Sequence, residues 1–156
     1  MGEKPAGGAA EVNRILISVE GQTEETFVRE VLTQHLWGYG VDPTPVLVST
    51  KIVKSGLRFQ GGLVSYSQAK REIVRLLGDN GAVAVTTMYD LYGLPQGFPG
   101  YKTRPLADCY AKVNHLEAAF CRDVDNHRFR PYLQLHEFEA LMFVVPEETA
   151  SIGSAR

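Results

Sequence analysis

Residues 15–32, ILISVEGQTEETFVREVL, decide the fold, since they hold a strand, a turn and the start of a helix. The run at 14–19 is short and apolar and stops at Glu20 and Gly21, which predicts a buried strand followed by a turn. Thr23 is expected to cap the next helix. The apolar positions of that helix recur at helical spacing, and its large side chains are expected in the core: Phe27, Val31, Leu32 and Trp37.

The same alternation continues along the chain. Three further segments predict buried strands: 46–50, 82–88 and 132–135. Helices are predicted from Ser65 or Ser67 to Gly78, from about Pro105, and over EFEALMF at 137–143. The helix after Pro105 is predicted to bury Leu106, Tyr110, Val113, Leu116 and Phe120. This order predicts an α/β fold, an open and mainly parallel sheet of about four strands with helices on both faces.

The length of 156 residues suits one domain, predicted over 13–150, with 1–12 as a disordered tail. The chain stops soon after the last helical pattern, which predicts truncation at the C-terminus. No apolar run is long enough to cross a bilayer, and the start has no signal-peptide core. Two cysteines are too few for a disulfide framework, so a cytoplasmic protein without a membrane partner is expected. The net charge of −2 argues against non-specific coating of nucleic acid.

Acidic side chains follow three of the predicted strands. Glu20 ends the first, Asp90 the third and Glu137 the fourth, with Glu139 two residues on. The carboxyl ends of parallel strands share one edge, where neighbouring acids repel unless a cation neutralises them. Mg²⁺ (or Mn²⁺) is therefore the expected cofactor, held by these four carboxylates. The alternatives are ordinary: a loop acid near the N-terminus of the first helix at Glu20, first-turn helix acids at Glu137 and Glu139, and a turn residue at Asp90.

Basic residues follow the predicted second strand. Lys51, Lys54 and Arg58 are candidates to bind a phosphate backbone, although a solvated basic surface explains them equally well. His136, beside Glu137, is a candidate proton shuttle, and its alternative is a histidine that is simply hydrogen-bonded. The sequence leaves both pairs of alternatives open.

With these residues in view, the chain resembles the Toprim domain of topoisomerases, bacterial primases and OLD-family nucleases. The matching segments are SVEGQTEETFV, TTMYDLYGLPQGFPG and RPYLQLHEFEALMF. They are most similar to a bacterial family of Toprim-related proteins of unknown function, encoded near AAA- or SMC-like ATPases. Glu20 matches the Toprim glutamate, and Asp90 matches the first aspartate of Asp-x-Asp. Tyr92 replaces the second aspartate, which makes Glu137 and Glu139 the expected substitutes.

The resemblance and the acids together predict a metal-dependent phosphodiesterase or nuclease acting on DNA or RNA. They imply a role in phage defence with an ATPase partner, and they leave a homo-oligomer open. Two alternatives stand beside this prediction. The first is a non-catalytic Toprim module that docks an ATPase or binds nucleic acid. The second is a hydrolase of nucleotides or of another phosphorylated small molecule, with the Gly/Pro-rich loop at 93–104 as a lid.

Overall fold

The structure is a computed structural model that describes residues 12–48, 63 and 65–136. Its strands are β1 (Asn13–Val19), β2 (Val41–Leu47), β3 (Ala84–Asp90), β4 (Phe129–Arg130) and β5 (Leu133–Gln134). Its helices are α1 (Gln22–Phe27), α2 (Thr33–Trp37), α3 (Tyr66–Leu77) and α4 (Cys109–Val124). A π-helical turn (Val28–Leu32) joins α1 to α2, and a 3-10 turn (Tyr101–Thr103) precedes α4. The helix predicted over 137–143 lies outside the described residues.

The strands form one parallel sheet in the order β2-β1-β3-β4, and β5 pairs with β3 beyond the end of β4. The predicted α/β class with a mainly parallel sheet is therefore confirmed. From β1 the chain first moves to one side, to β2, and then crosses to the other side, to β3. The crevice between the carboxyl ends of β1 and β3 is consequently the point where the strand order reverses, which is where ligands bind in open parallel sheets.

Helices cover both faces of the sheet, as predicted. On one face, α3 and α4 bury the larger core, whose fully buried members include Ile73, Val85, Phe120 and Phe129. On the other face, the buried residues Ile17, Val19 and Val28 form a second cluster, with Leu32 and Met88 packed against it. The connection from β1 to β2 and the connection from β2 to β3 cross the sheet in opposite directions. Because such crossovers are right-handed, their helices lie on opposite faces of the sheet.

The second strand starts earlier than predicted. It runs over Val41–Leu47 instead of 46–50, and it includes Pro43 and Pro45, both buried. Prolines suggest a strand boundary because they lack the amide donor of a ladder. Within the described residues β2 pairs with β1 alone, so it is an edge strand, and an edge strand tolerates proline.

The first helix buries a different stripe from the predicted one. Val28 is fully buried and Leu32 partly buried, whereas Val31 is 50% exposed and Trp37 is 58% exposed. A π-helical turn at Val28–Leu32 interrupts the regular helical spacing on which the predicted stripe depends. The prediction that Trp37 lies in the core is therefore wrong.

The helix predicted from about Pro105 is α4, which starts later than predicted, at Cys109. The side chain of Asp108 accepts a hydrogen bond from the Tyr110 amide (2.9 Å) and caps the helix there. Leu106 therefore lies before the helix and is 79% exposed, and Tyr110 is 68% exposed. The rest of the predicted face is confirmed, with Leu116 and Phe120 buried and Val113 packed against the core.

The strand predicted over 132–135 is confirmed as the short strand β5, and a second short strand that was not predicted, β4, precedes it. Pro131 separates β4 from β5, and the side chain of Thr87 bridges the gap. Thr87 Oγ1 donates to the carbonyl of Tyr132 (2.8 Å) and accepts from its amide (3.0 Å). This side chain replaces the missing ladder bonds and keeps β5 aligned with the end of β3.

A buried pair of hydroxyl groups joins β1 to β3 close to the crevice. Ser18 Oγ lies 2.7 Å from Tyr89 Oη, and both residues are fully buried. Ser18 precedes Glu20 by two residues, and Tyr89 directly precedes Asp90. The pair therefore ties the two strands together where both approach the acids.

Replacing Tyr89 with phenylalanine is expected to lower the free energy of unfolding by about 1–3 kcal/mol, because Ser18 Oγ is then buried without this partner. The double variant Ser18→Ala/Tyr89→Phe should lose less than the sum of the two single variants, since it leaves neither hydroxyl orphaned. Urea unfolding of the four proteins measures this coupling. Additive losses would contradict it.

Candidate metal centre

Glu20 and Asp90 meet at the crevice between β1 and β3. Glu20 directly follows β1, and Asp90 is the last residue of β3. The sheet register pairs Val19 with Met88, so β3 continues for two residues beyond the last pair and brings Asp90 level with the turn after β1. Glu20 Oε1 accepts a hydrogen bond from the Asp90 backbone amide at 2.8 Å. The structure thus confirms that these two predicted site residues lie together.

The surroundings of Glu20 disfavour its charged form. Burial raises the pKa of its carboxyl group to about 7, and the negative charges of Asp90 and Glu24 add to the rise. Hydrogen bonds from the backbone amides of Asp90 and Leu63 oppose it, because they stabilise the carboxylate. A carboxyl group with a pKa near neutrality, in a crevice, is typical of a functional site.

Asp90 also organises the loop that follows it. Its Oδ1 accepts from the Tyr92 amide (3.0 Å), and its carbonyl accepts from the Gly93 amide (3.1 Å). The turn-forming alternative for Asp90 is therefore correct, but it does not exclude a ligand role. An ionised carboxylate has about four lone-pair positions, of which the turn uses one.

Glu24, in the first turn of α1, is a third acid near the crevice, and it was not among the predicted site residues. Its Oε2 lies 3.1 Å from the position that a Cβ on Gly21 would occupy. Gly21 has an extended backbone (φ −145°), so its conformation does not require glycine. The absence of a side chain matters instead, because the Glu24 carboxylate folds back into that space. The available signal was the spacing of Glu20 and Glu24, four residues apart.

The donor set of the crevice fits a hard cation. Glu20 and Asp90 offer oxygen atoms, and Mg²⁺ commonly binds one or two carboxylates and completes its shell with waters and substrate oxygens. Within residues 12–48, 63 and 65–136, no three His, Cys, Asp or Glu side chains form a group that could hold a metal ion. A third protein ligand would have to come from elsewhere, and the predicted ligands Glu137 and Glu139 lie outside the described residues.

No contact among the described residues places the remaining predicted residues at the crevice. Lys51, Lys54 and Arg58 lie outside it, so their role as phosphate ligands stays a prediction. His136 is exposed, two residues beyond the end of β5, and no hydrogen bond among the described residues involves it. Its role as a proton shuttle also stays a prediction.

The raised pKa of Glu20 predicts that the metal-free protein loses stability as the pH rises. The folded state holds the Glu20 proton up to a pH of about 7, whereas the unfolded chain releases it near 4.5. The folded state therefore binds more protons in that window, and the free energy of unfolding falls by about 3 kcal/mol across it. Urea unfolding in EDTA at pH 4.5 and pH 8 measures the change. Glu20→Gln should remove this contribution, and an unchanged pH profile in that variant would contradict the assignment.

Three comparisons bear on what the chain is. The family model described as a domain of unknown function (DUF4276) matches residues 19–155, a range that contains Glu20, Asp90, Glu137 and Glu139. No curated protein and no solved structure matches the chain. Among the described residues, no helix is both long enough and apolar enough to span a membrane.

Proposed function

Since the chain belongs to the DUF4276 family, whose function is unassigned, we propose from its own residues that it is a metal-dependent phosphodiesterase that cleaves DNA or RNA. One observation carries the proposal. Glu20 and Asp90 meet at the reversal point of a parallel sheet, joined by a hydrogen bond of 2.8 Å, and the Glu20 pKa is about 7. Two acids held together in a crevice cost stability unless a ligand compensates them.

Glu20 and Asp90 would hold Mg²⁺ or Mn²⁺, and Glu137 and Glu139 are proposed to complete the site. The bound ion would orient a water, lower its pKa and stabilise negative charge on the scissile phosphate. The backbone amides of Asp90 and Leu63 both donate to the Glu20 carboxylate, which has further lone pairs with which to hold or move a proton. A side chain on Gly93 would come within 3.7 Å of Oε2, so glycine keeps that side of the carboxylate open.

We further assign the chain to the Toprim-like proteins, close to the OLD-family nucleases. This assignment is supported by the position of Glu20 after β1 and of Asp90 at the end of β3, the two places where Toprim motifs carry acids. On the same grounds we propose that the protein is cytoplasmic, acts in phage defence and has an AAA- or SMC-like ATPase as its partner. Lys51, Lys54 and Arg58 are proposed to hold the phosphate backbone.

One observation favours a second function, a non-catalytic module that binds nucleic acid or docks an ATPase. Tyr92 occupies the position of the second Toprim aspartate, and its side chain is 67% exposed. A tyrosine is not an anionic ligand near neutral pH, because its ordinary pKa is about 10. If the protein has this second function, it binds nucleic acid or an ATPase and does not cleave a phosphodiester bond.

Cleavage assays separate the two functions. The full chain would be incubated with plasmid DNA, single-stranded DNA and tRNA, in Mg²⁺, in Mn²⁺ and in EDTA. The proposed phosphodiesterase cleaves at least one of these substrates and stops in EDTA. Cleavage that persists in EDTA would contradict a metal-dependent reaction. Binding to nucleic acid or to an ATPase without cleavage of any substrate would establish the non-catalytic module instead.

A further inference from the structure

Tyr92 is an exposed aromatic residue beside the acid pair. It follows Asp90 by two residues. Its neighbour Gly93 lies close to Glu20, since a Cβ on Gly93 would be 3.7 Å from Glu20 Oε2. The residue is 67% exposed. A single exposed aromatic residue is common on protein surfaces and needs no explanation by itself. Its backbone and its position distinguish Tyr92.

The backbone of Tyr92 is held on both sides. Leu91 and Leu94 are buried in the core and anchor the loop before and after it. The Tyr92 amide donates to Asp90 Oδ1 (3.0 Å), and the Leu91 amide donates to the carbonyl of Gln134 on β5 (3.0 Å). The chain thus fixes the base of the side chain while the ring stays in solvent.

The side chain of Tyr92 differs in its contacts from three other tyrosines of the described residues. Three other tyrosines, Tyr66, Tyr89 and Tyr132, each place their hydroxyl group in a hydrogen bond to a side chain. None of the hydrogen bonds or ring contacts among the described residues involves the side chain of Tyr92. An aromatic ring on a fixed turn, without such contacts, presents its flat faces to a ligand at low entropic cost.

We propose that Tyr92 stacks on an unpaired base of the nucleotide bound at the acid pair, which makes single-stranded nucleic acid the substrate class. The inference rests on the proposed phosphodiesterase function and adds its specificity. Bases in a duplex hide their faces in the stack, whereas an unpaired base can lie against an aromatic ring. The net charge of −2 gives the whole protein no overall attraction to the phosphates, so a stacking contact adds to the affinity that local basic residues provide.

The test combines a change in the protein with a change in the substrate. The full-length wild type and Tyr92→Ala would be titrated with fluorescein-labelled single strands of DNA and of RNA. A matched series carries one abasic site at each position in turn. Tyr92→Ala is expected to weaken binding and to lower kcat/KM about 5- to 150-fold on the intact strand, as loss of one stacked base does. Tyr92→Phe and Tyr92→Trp should restore both values.

The abasic series identifies the stacked base. One abasic position should weaken binding by the wild type to a similar extent, and Tyr92→Ala should lose nothing more at that position. Tyr39→Ala is the matched control, since Tyr39 is 74% exposed but precedes β2 at the opposite edge of the sheet, where Gly40 contacts the start of β1. This control should bind and cleave as the wild type does.

Three outcomes would overturn the inference. In the first, Tyr92→Ala binds the intact strand as tightly as the wild type does. In the second, the loss of affinity from Tyr92→Ala multiplies with the loss from the abasic site at every position of the strand. In the third, the wild type binds or cleaves a duplex as well as it does the single strand. If any of them occurs while Glu20→Gln still abolishes cleavage, the stacking role fails and the phosphodiesterase stands. If the wild type cleaves nothing in Mg²⁺ or Mn²⁺, the phosphodiesterase and the inference fail together.

Discussion

Glu20→Gln is expected to lower metal-dependent cleavage by about 10²- to 10⁴-fold. Glutamine keeps the size of the side chain, and its carbonyl oxygen can still accept the hydrogen bond from the Asp90 amide. The substitution therefore removes the charge and the titrating proton and preserves the contact between β1 and β3. Initial rates on the best substrate of the wild type, in Mg²⁺ and in Mn²⁺ at pH 8, measure the loss.

Glu25→Gln provides the matched control for this experiment. Glu25 lies on α1, five residues after Glu20, but its carboxylate pairs with Arg29 on the surface at 2.9 Å. Surface pairs of this kind contribute little to stability, so the variant should fold and cleave as the wild type does. Glu20→Gln with wild-type rates would show that the Glu20 carboxylate has no part in the reaction.

Asp90→Asn is expected to reduce cleavage by a similar factor and to weaken Mg²⁺ binding. An asparagine oxygen can still accept from the Tyr92 amide, so the turn after β3 is preserved while an anionic ligand is lost. Asp90→Ala should reduce activity as well and should also destabilise the loop, because it removes the acceptor of that hydrogen bond. Cleavage rates and thermal unfolding of both variants separate the ligand role from the turn role.

Asp108→Asn is the matched control for the turn. Asp108 accepts a hydrogen bond from the amide two residues ahead, Tyr110, at 2.9 Å, which repeats the geometry at Asp90 with no place in the crevice. It should retain full activity. The ligand role of Asp90 would be refuted by an active Asp90→Asn, or by an Asp108→Asn variant that loses as much activity.

The sequence predicted the part of the site that depends on strand order. The runs that became β1 and β3 are apolar and end in acids, and parallel strands bring their carboxyl ends to one edge. The sequence alone therefore predicts that Glu20 and Asp90 lie together. Their hydrogen bond, and the pKa of about 7 for Glu20, depend on the burial of one carboxyl group and could not be read from a pattern of residue types.

The errors of the sequence analysis have local causes. A π-helical turn interrupts the helix before Trp37, and Trp37 is exposed although the apolar spacing around it is helical. Because Asp108 caps α4, the helix begins at Cys109, and Leu106 lies before it and is exposed. The approach of Glu24 to Gly21 depends on a missing Cβ, a contact that the periodicity of the sequence does not report.

Calorimetric titration of the full chain with Mg²⁺ and Mn²⁺ at pH 8 tests the central claim most directly, namely that the carboxylates between β1 and β3 hold a divalent cation. At this pH the Glu20 carboxylate is ionised, because the pH exceeds its pKa of about 7. The wild type should bind the ion saturably, Glu20→Gln and Asp90→Asn should bind it at least about tenfold more weakly, and Glu25→Gln should match the wild type. The absence of saturable binding to the wild type, or equal binding by all four proteins, would contradict the account.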